Sequence, residues 1–363
     1  MKWNKSVNSA LASSIVALSL TGQIEAGMNS EHKPKDSFAF AFPKDVNLVD
    51  PNDIYFYVAG LAMQASEGGL EYGIQNDNGS VTNGSGGSAI PLKHGYVLNF
   101  DWNYNPGVRV GLGGYIDHDA WNLEGNWTWV HFSNYTSNET PATSIVIPLW
   151  MTGGDSAPAS FGNGANAGWR GQYNQVDLWM GKPYHISRHF VMNPVLGMRF
   201  GFIDQTFRVD YGGLNFRSKV YTTNNFYGFG LRAGVNSEWI VNKDWRFFGT
   251  AAGSMLRSHI HAKERFSVPS GTNSPTTSYI DETIWDNIPV LDLSLGLQWG
   301  MFFNCERNYV AVRAAYEFQE WFDLFYVRKI YNGGFANSNG FGNEALRTDF
   351  SLNGFSLAVQ FDF

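Results

Sequence analysis

Over much of the chain hydrophobic and polar residues alternate one for one, most regularly near the carboxyl terminus. Phe355, Leu357, Val359, Phe361 and Phe363 share one face there, with Gly354, Ser356, Ala358, Gln360 and Asp362 on the other. Successive side chains of a strand point to opposite faces, so this segment is a ribbon with one apolar and one small or polar face. Leu291, Leu293, Leu295, Leu297, Trp299 and Met301 alternate in the same way with Asp292, Ser294, Gly296, Gln298 and Gly300. Trp121, Leu123, Trp127 and Trp129 oppose Asn122, Glu124, Asn126 and Thr128, and Leu196, Met198, Phe200 and Phe202 oppose Asn193, Gly197 and Arg199. Further strands are expected over Asp53 to Ala65, Val97 to Ile116, Gln172 to Met180, Tyr227 to Trp239, Trp245 to Lys263 and Val310 to Gln319.

Tight turns are expected at Asp117-His118-Asp119, Lys182-Pro183, Val241 to Asp244 and Asn304 to Asn308. Long polar loops are expected at Gly68 to Leu92, Ser133 to Ala167 and Phe322 to Thr348. Inside the second of these, Ile145 to Met151 is apolar, suited to the lumen, the barrel rim or a neighbouring subunit. Alternating short turns and long loops describe an all-β, antiparallel up-and-down barrel with both termini on the short-turn side. Counting turns gives about ten strands, or twelve if Phe207 to Tyr221 hides another hairpin. Barrels of about eight strands are filled by their own side chains and those of sixteen carry an aqueous channel, so a narrow or loop-restricted pore is expected.

The amino terminus indicates where such a barrel resides. Lys2 and Lys5 precede an apolar stretch from Ala10 to Leu20, then Gly22 and a small residue at Ala26. That run is short of the roughly 20 residues that span a bilayer, so residues 1–26 read as a secretory signal peptide. Its removal deletes two Lys and one Glu, taking the net charge from −7 to about −8. Residues 27–52, with Pro34, Pro43 and Pro51, read as a polar periplasmic extension, and residues 53–363 as the barrel. Aromatics and charged residues each make up 16% of the chain, an aromatic-rich and charge-poor balance that interfacial girdles would explain. The mean hydropathy of −0.24 opposes a helical membrane protein but suits strands that are apolar on one face only. Cys305 is the single cysteine, which excludes an intramolecular disulfide, and the acidic balance gives no reason to expect nucleic acid.

Charge placement orients the faces. An arginine facing lipid at mid-bilayer costs about 2–4 kcal/mol. Arg199, Arg232, Arg257 and Arg313 occupy the small or polar faces of their strands, so those faces are expected to line the lumen. The pore-lining candidates are Glu124, Asp177, Glu238, Asp292 and Glu317 with Arg199, Arg232, Arg257, Lys263 and Arg313. Their mixed signs imply a modest ion preference. Val359, Phe361 and Phe363 are the expected barrel-assembly signal.

Pro106-Gly107-Val108-Arg109-Val110-Gly111-Leu112-Gly113, His118-Asp119-Ala120-Trp121-Asn122-Leu123 and Asn126-Trp127-Thr128-Trp129 resemble the early strands of the Legionella-type major outer membrane proteins. That group includes similar porins of Chlamydia-related bacteria. Gly230-Leu231-Arg232-Ala233-Gly234, Asn236-Ser237-Glu238-Trp239, Leu291-Asp292-Leu293, Gly296-Leu297-Gln298-Trp299, Tyr316-Glu317-Phe318 and Glu320-Trp321-Phe322 extend the resemblance over Tyr55 to Phe363, outside the loops. The resemblance implies an outer-membrane barrel acting as a porin and supplies no catalytic residues. Chlamydial members are cysteine-rich and cross-linked, whereas this chain has Cys305 alone.

Other chemistry is sparse. His259 and His261 supply at most half of a transition-metal site, in surroundings made positive by Arg257 and Lys263. Asp117-His118-Asp119 suits a polar turn better than an acid–base pair. No G-x-S-x-G elbow occurs, and Gly228-x-Gly230 lies within a strand. The expected function is diffusion of small hydrophilic solutes and ions without catalysis, cofactor or metal. The alternatives are a non-conducting surface barrel acting in adhesion or host contact through its loops, and a barrel hydrolase. Expected partners are outer-membrane lipid and lipopolysaccharide, the barrel-assembly machinery, the permeating solutes and further copies of the chain.

Overall fold

The computed structural model describes residues 54–76, 81–83, 89–91, 94–116, 121–139, 144–150, 164–213, 216–268, 276–305, 307–335 and 338–363. The expected signal peptide, the extension and the turn at Asp117-His118-Asp119 lie outside these residues. The described residues form a closed barrel of ten strands: β1 (Ile54–Glu67), β2 (Tyr104–Ile116), β3 (Trp121–Glu139), β4 (Gly164–Gly181), β5 (Phe190–Gly213), β6 (Phe216–Ile240), β7 (Trp245–Val268), β8 (Thr276–Phe303), β9 (Asn308–Phe335) and β10 (Ser338–Asp362). Each pairs antiparallel with its sequence neighbours. β10 returns to β1 in a register running from Tyr55↔Asp362 to Glu67↔Phe350. Closure leaves no open edge in the lipid zone, where unpaired backbone groups cost several kcal/mol each. The Phe363 amide adds a bond to the Ile54 carbonyl at 3.1 Å, and Phe56 stacks between Phe361 and Phe363.

Along β10 and the lower halves of β3, β5, β6 and β8 the alternation matches the sequence. Leu231, Phe229 and Leu295 are more than 60% exposed on the outer wall, while Arg199, Arg232 and Asp292 point inward and are buried. A bilayer needs about 9–11 tilted residues per strand, yet β8 and β9 each have 28. The surplus projects beyond the lipid, where the chemistry of the two faces exchanges. On β5 the outer residues change from Leu196, Met198 and Phe202 to Asp204, Arg208 and Asp210. The inner ones change from Arg199 to Ile203, Phe207, Val209 and Tyr211. On the far side water replaces lipid, so the outer surface becomes polar and the interior becomes an apolar core.

Three sequence expectations change as a consequence. Arg257 and Lys263 face outward rather than into the lumen, because Leu256, Ile260 and Ala262 hold the inward positions of β7. Phe207 to Tyr221 is a continuation of β5 and β6, not an extra hairpin. Most of Phe322 to Thr348, expected as a loop, is strand, with β9 and β10 paired out to Phe335↔Ser338. The apolar Ile145–Pro148 segment pairs with Gly73–Asn76, which also pairs with Gly95–Leu98. This small sheet packs inside the barrel mouth, where Trp150 lies 4.7 Å from the Phe207 ring, centroid to centroid.

The short-turn end carries exposed Cys305, with Asn304 and Cys305 both at φ 56°. If that end is periplasmic, a membrane-impermeant maleimide should leave Cys305 unlabelled on intact cells and label it after the outer membrane is permeabilised. Labelling on intact cells would invert the orientation.

Candidate lumenal site

Below the exchange of faces the lumen holds polar side chains in layers. A cavity of about 260 Å³ runs through these layers, bordered by Tyr55, Tyr57, Glu124, Glu238, Arg246 and Arg313 and by the charged groups described next. Glu124 accepts hydrogen bonds from the Tyr55 and Tyr57 hydroxyls, both at 2.8 Å. Glu238 pairs with Arg246 at 3.0 Å, and the Arg313 guanidinium lies 4.3 Å from the centre of the Phe248 ring.

Four charges that line the same cavity meet across the lumen. Asp177 on β4 stands opposite Arg199 on β5 in register. The Arg199 Nε and Nη2 donate to the two Asp177 oxygens at 2.7 and 2.8 Å, and Nη1 reaches Asp292 on β8 at 2.9 Å. Arg232 on β6 lies 3.7 Å from Asp177 and 3.5 Å from Asp292. Ala252 and Ser254 are the inward residues of β7 beside this group, and their small size leaves room for the arginines. Arg109 on β2 makes a forked pair with Glu317 on β9 at 2.9 and 2.8 Å and donates from Nε to Thr128.

A lid of aromatics lies directly above. Trp321 is fully buried and reaches across the lumen to β5: a side-chain carbon at Gly201 would come within 2.6 Å of the indole. Gly201 therefore has to be glycine for the ring to lie there. Tyr173 and Phe226 meet Trp321 edge-on. Higher still, Phe132, Trp169, Trp102, Phe350, Phe207 and Trp150 continue the packing.

The cap above the lid comes from β9 and β10. Strand β9 pairs with β8 only as far as Val290↔Trp321, and a bulge follows between Trp321 and Phe325 with Asp323 at φ 54°. Past this bend the hairpin turns inward, burying Leu324, Phe325, Tyr326 and Val327 in succession. Side chains from the opposite wall hold it. Asn224 donates to the Tyr326 carbonyl at 2.8 Å, the Arg328 amide donates to Glu264 at 2.6 Å, and the Arg328 guanidinium makes two 2.7 Å bonds to Glu282. The Arg328 guanidinium holds the Glu282 carboxyl below its ordinary value.

Of the expected pore-lining residues, Glu124, Asp177, Arg199, Arg232, Glu238, Asp292, Arg313 and Glu317 face the lumen, while Arg257 and Lys263 do not. Sequence reasoning missed Arg109, Arg246, Tyr57 and Trp321. Parity from the apolar Val110 and Leu112 would have placed Arg109 inside. Tyr57 and Trp321 were hidden because an aromatic reads as apolar wherever it points.

Strand pairing and the apolar outer band together define an outer-membrane β-barrel. A family model described as the Legionella pneumophila major outer membrane protein precursor matches residues 53–363, and the chain belongs to that family. No curated protein matches the chain. Similar solved structures include the outer membrane protease OmpT of Escherichia coli, at 10% identity and a TM-score of 0.44, covering 89% of this chain and 100% of that one. The Pseudomonas putida toluene transporter TodX is 6% identical with a TM-score of 0.31, covering 86% and 90%. A Pseudomonas aeruginosa FadL homologue is 9% identical with a TM-score of 0.30, covering 87% and 90%.

Proposed function

We propose that the barrel is a porin that rests closed, admitting small hydrophilic solutes and ions when the inward-turned part of β9 and β10 lifts. The observation that carries this reading is the pairing of β9, which leaves the wall at Trp321 and crosses the mouth held mainly by side chains. A wall segment would be fixed by a backbone ladder on both sides, whereas a cap fixed by side chains can detach as a unit. The charges beneath it, Arg199 and Arg232 against Asp177 and Asp292, supply the transverse field expected of a selective constriction once water enters. The lumenal carboxylates are assigned to ion pairing rather than to catalysis.

Magnitude favours a mostly closed state. Burying four large side chains of the cap is worth roughly 1.5–3 kcal/mol each. Opening of the wild-type barrel is therefore rare. The aromatic filling of the upper lumen also favours a second reading, a surface barrel that never conducts and acts through its extracellular strands.

Planar-bilayer recording separates the two. The refolded protein should give brief ohmic steps from a silent baseline. Arg232→Glu combined with Arg313→Glu should move the reversal potential toward cations in a salt gradient, less so near 1 M salt, where the Debye length is about 3 Å. Silence at every voltage would support the surface barrel. Steps with an unchanged reversal potential would take these arginines out of the conduction path.

A further inference from the structure

The outward stripe of β7 has no part in the lumen. Arg257, His259, His261, Lys263 and Arg265 occupy five successive outward positions, about 6.6 Å apart. Cross-strand neighbours complete the surface. His259 lies between Tyr227 on β6 and Trp285 on β8, with both ring separations 4.7 Å. Arg265 lies 5.8 Å from the Tyr279 ring centre. Asp281 is the acidic member, 2.6 Å from His261 and 3.8 Å from Lys263. Three permanent cations thus face one carboxylate. No cluster suited to a metal ion occurs among the described residues.

Position gives the stripe its meaning. Phe229, Leu231 and Met255, immediately below, are all more than half exposed on the lipid-facing wall. Arg257 pairs in register with Phe229; its guanidinium donates to Asn287, its partner on β8, at 3.4 Å and lies 6.0 Å from the Trp285 ring centre, two residues further from the lipid. A long cationic side chain at the edge of the lipid lays its stem along the acyl chains while its head holds polar and aromatic partners at the boundary. The Tyr227–His259–Trp285 row is the interfacial aromatic belt, and the cations stand at and above it on the long-strand side.

We propose that the outer surface of β6–β8 from Arg257 to Arg265 binds phosphate-bearing saccharide lipid of the outer leaflet. Arg257, Lys263 and Arg265 pair with its phosphates, Tyr227, Trp285 and Tyr279 pack against the sugars, and Phe229, Leu231 and Met255 contact the acyl chains. The proposal goes beyond the porin reading and is independent of it, since the surface lies outside the barrel.

Purified lipopolysaccharide is the probe, titrated against the full refolded barrel in detergent, with dephosphorylated lipopolysaccharide and inorganic phosphate alongside. A cation near an anionic lipid surface strengthens association roughly fivefold, so Arg257→Gln, Lys263→Gln and Arg265→Gln together should weaken binding about a hundredfold. Dephosphorylated lipopolysaccharide should bind the wild type as poorly, and inorganic phosphate should not displace the intact lipid. Arg170→Gln with Arg208→Gln, outward on β4 and β5, should leave binding unchanged. The wild type gives a readout that needs no variant: bound lipopolysaccharide should shield Lys263 from an amine-reactive label. Undiminished binding by the triple variant, equal weakening by the control pair, displacement by inorganic phosphate, or an unshielded Lys263 would each overturn the proposal.

Discussion

Asp177→Ala should destabilise the refolded barrel by about 3–5 kcal/mol in urea, the usual cost of removing one partner from a buried ion pair. Arg199 has only 1% of its side chain exposed, so losing its forked partner leaves an under-compensated cation with little access to water. Arg199→Met added to Asp177→Ala should recover most of the loss, because a dry site favours an apolar side chain over an unmatched charge. The same experiment tests the state of the lumen. An ion pair in an open aqueous pore contributes only about 0–1 kcal/mol. A loss below about 1 kcal/mol for Asp177→Ala would therefore mean that the Arg199 layer is hydrated and the lumen stands open.

The extent to which this architecture is legible in the sequence follows from which solvent each strand segment meets. Within the lipid band the rule is simple: Leu291 to Met301 and Phe355 to Phe363 read correctly because hydrocarbon tolerates no charge on the outer face. Turn counting reaches ten strands because a closed barrel joins neighbouring strands by alternating turns and loops. Beyond the bilayer the rule reverses. Arg257 and Lys263 read as lumenal because a cation facing lipid is costly, and nothing in the sequence marks where the outer solvent changes from lipid to water. The cap reads as a loop for a related reason. Leu324 to Val327 has four buried residues in succession, a pattern without alternation, and burial on both faces of a strand cannot be told from irregular chain by periodicity. The Arg199 cluster was legible as inward-facing charge. Its mutual pairing was not, because contacts between β4, β5, β6 and β8 depend on barrel diameter.

The second large effect concerns the cap. Its side-chain anchors act together, so single substitutions such as Glu282→Gln should raise the frequency of opening only modestly. Shortening residues 324–347 to a tight turn removes Tyr326, Arg328 and the apolar cluster at once. Trp321→Ala in the same chain removes the ring that reaches Gly201. Water would then enter, from above, the cavity that the charged layer lines. The ten paired strands across the lipid are untouched by these changes, so the variant should retain heat-modifiable mobility.

Single-channel recording of that shortened, Trp321→Ala barrel tests most directly whether the protein is a pore closed by its own ninth and tenth strands. Sustained ohmic conductance is expected, with long open times in place of the rare steps of the wild type. A variant that folds, inserts and stays silent at every voltage would contradict this reading.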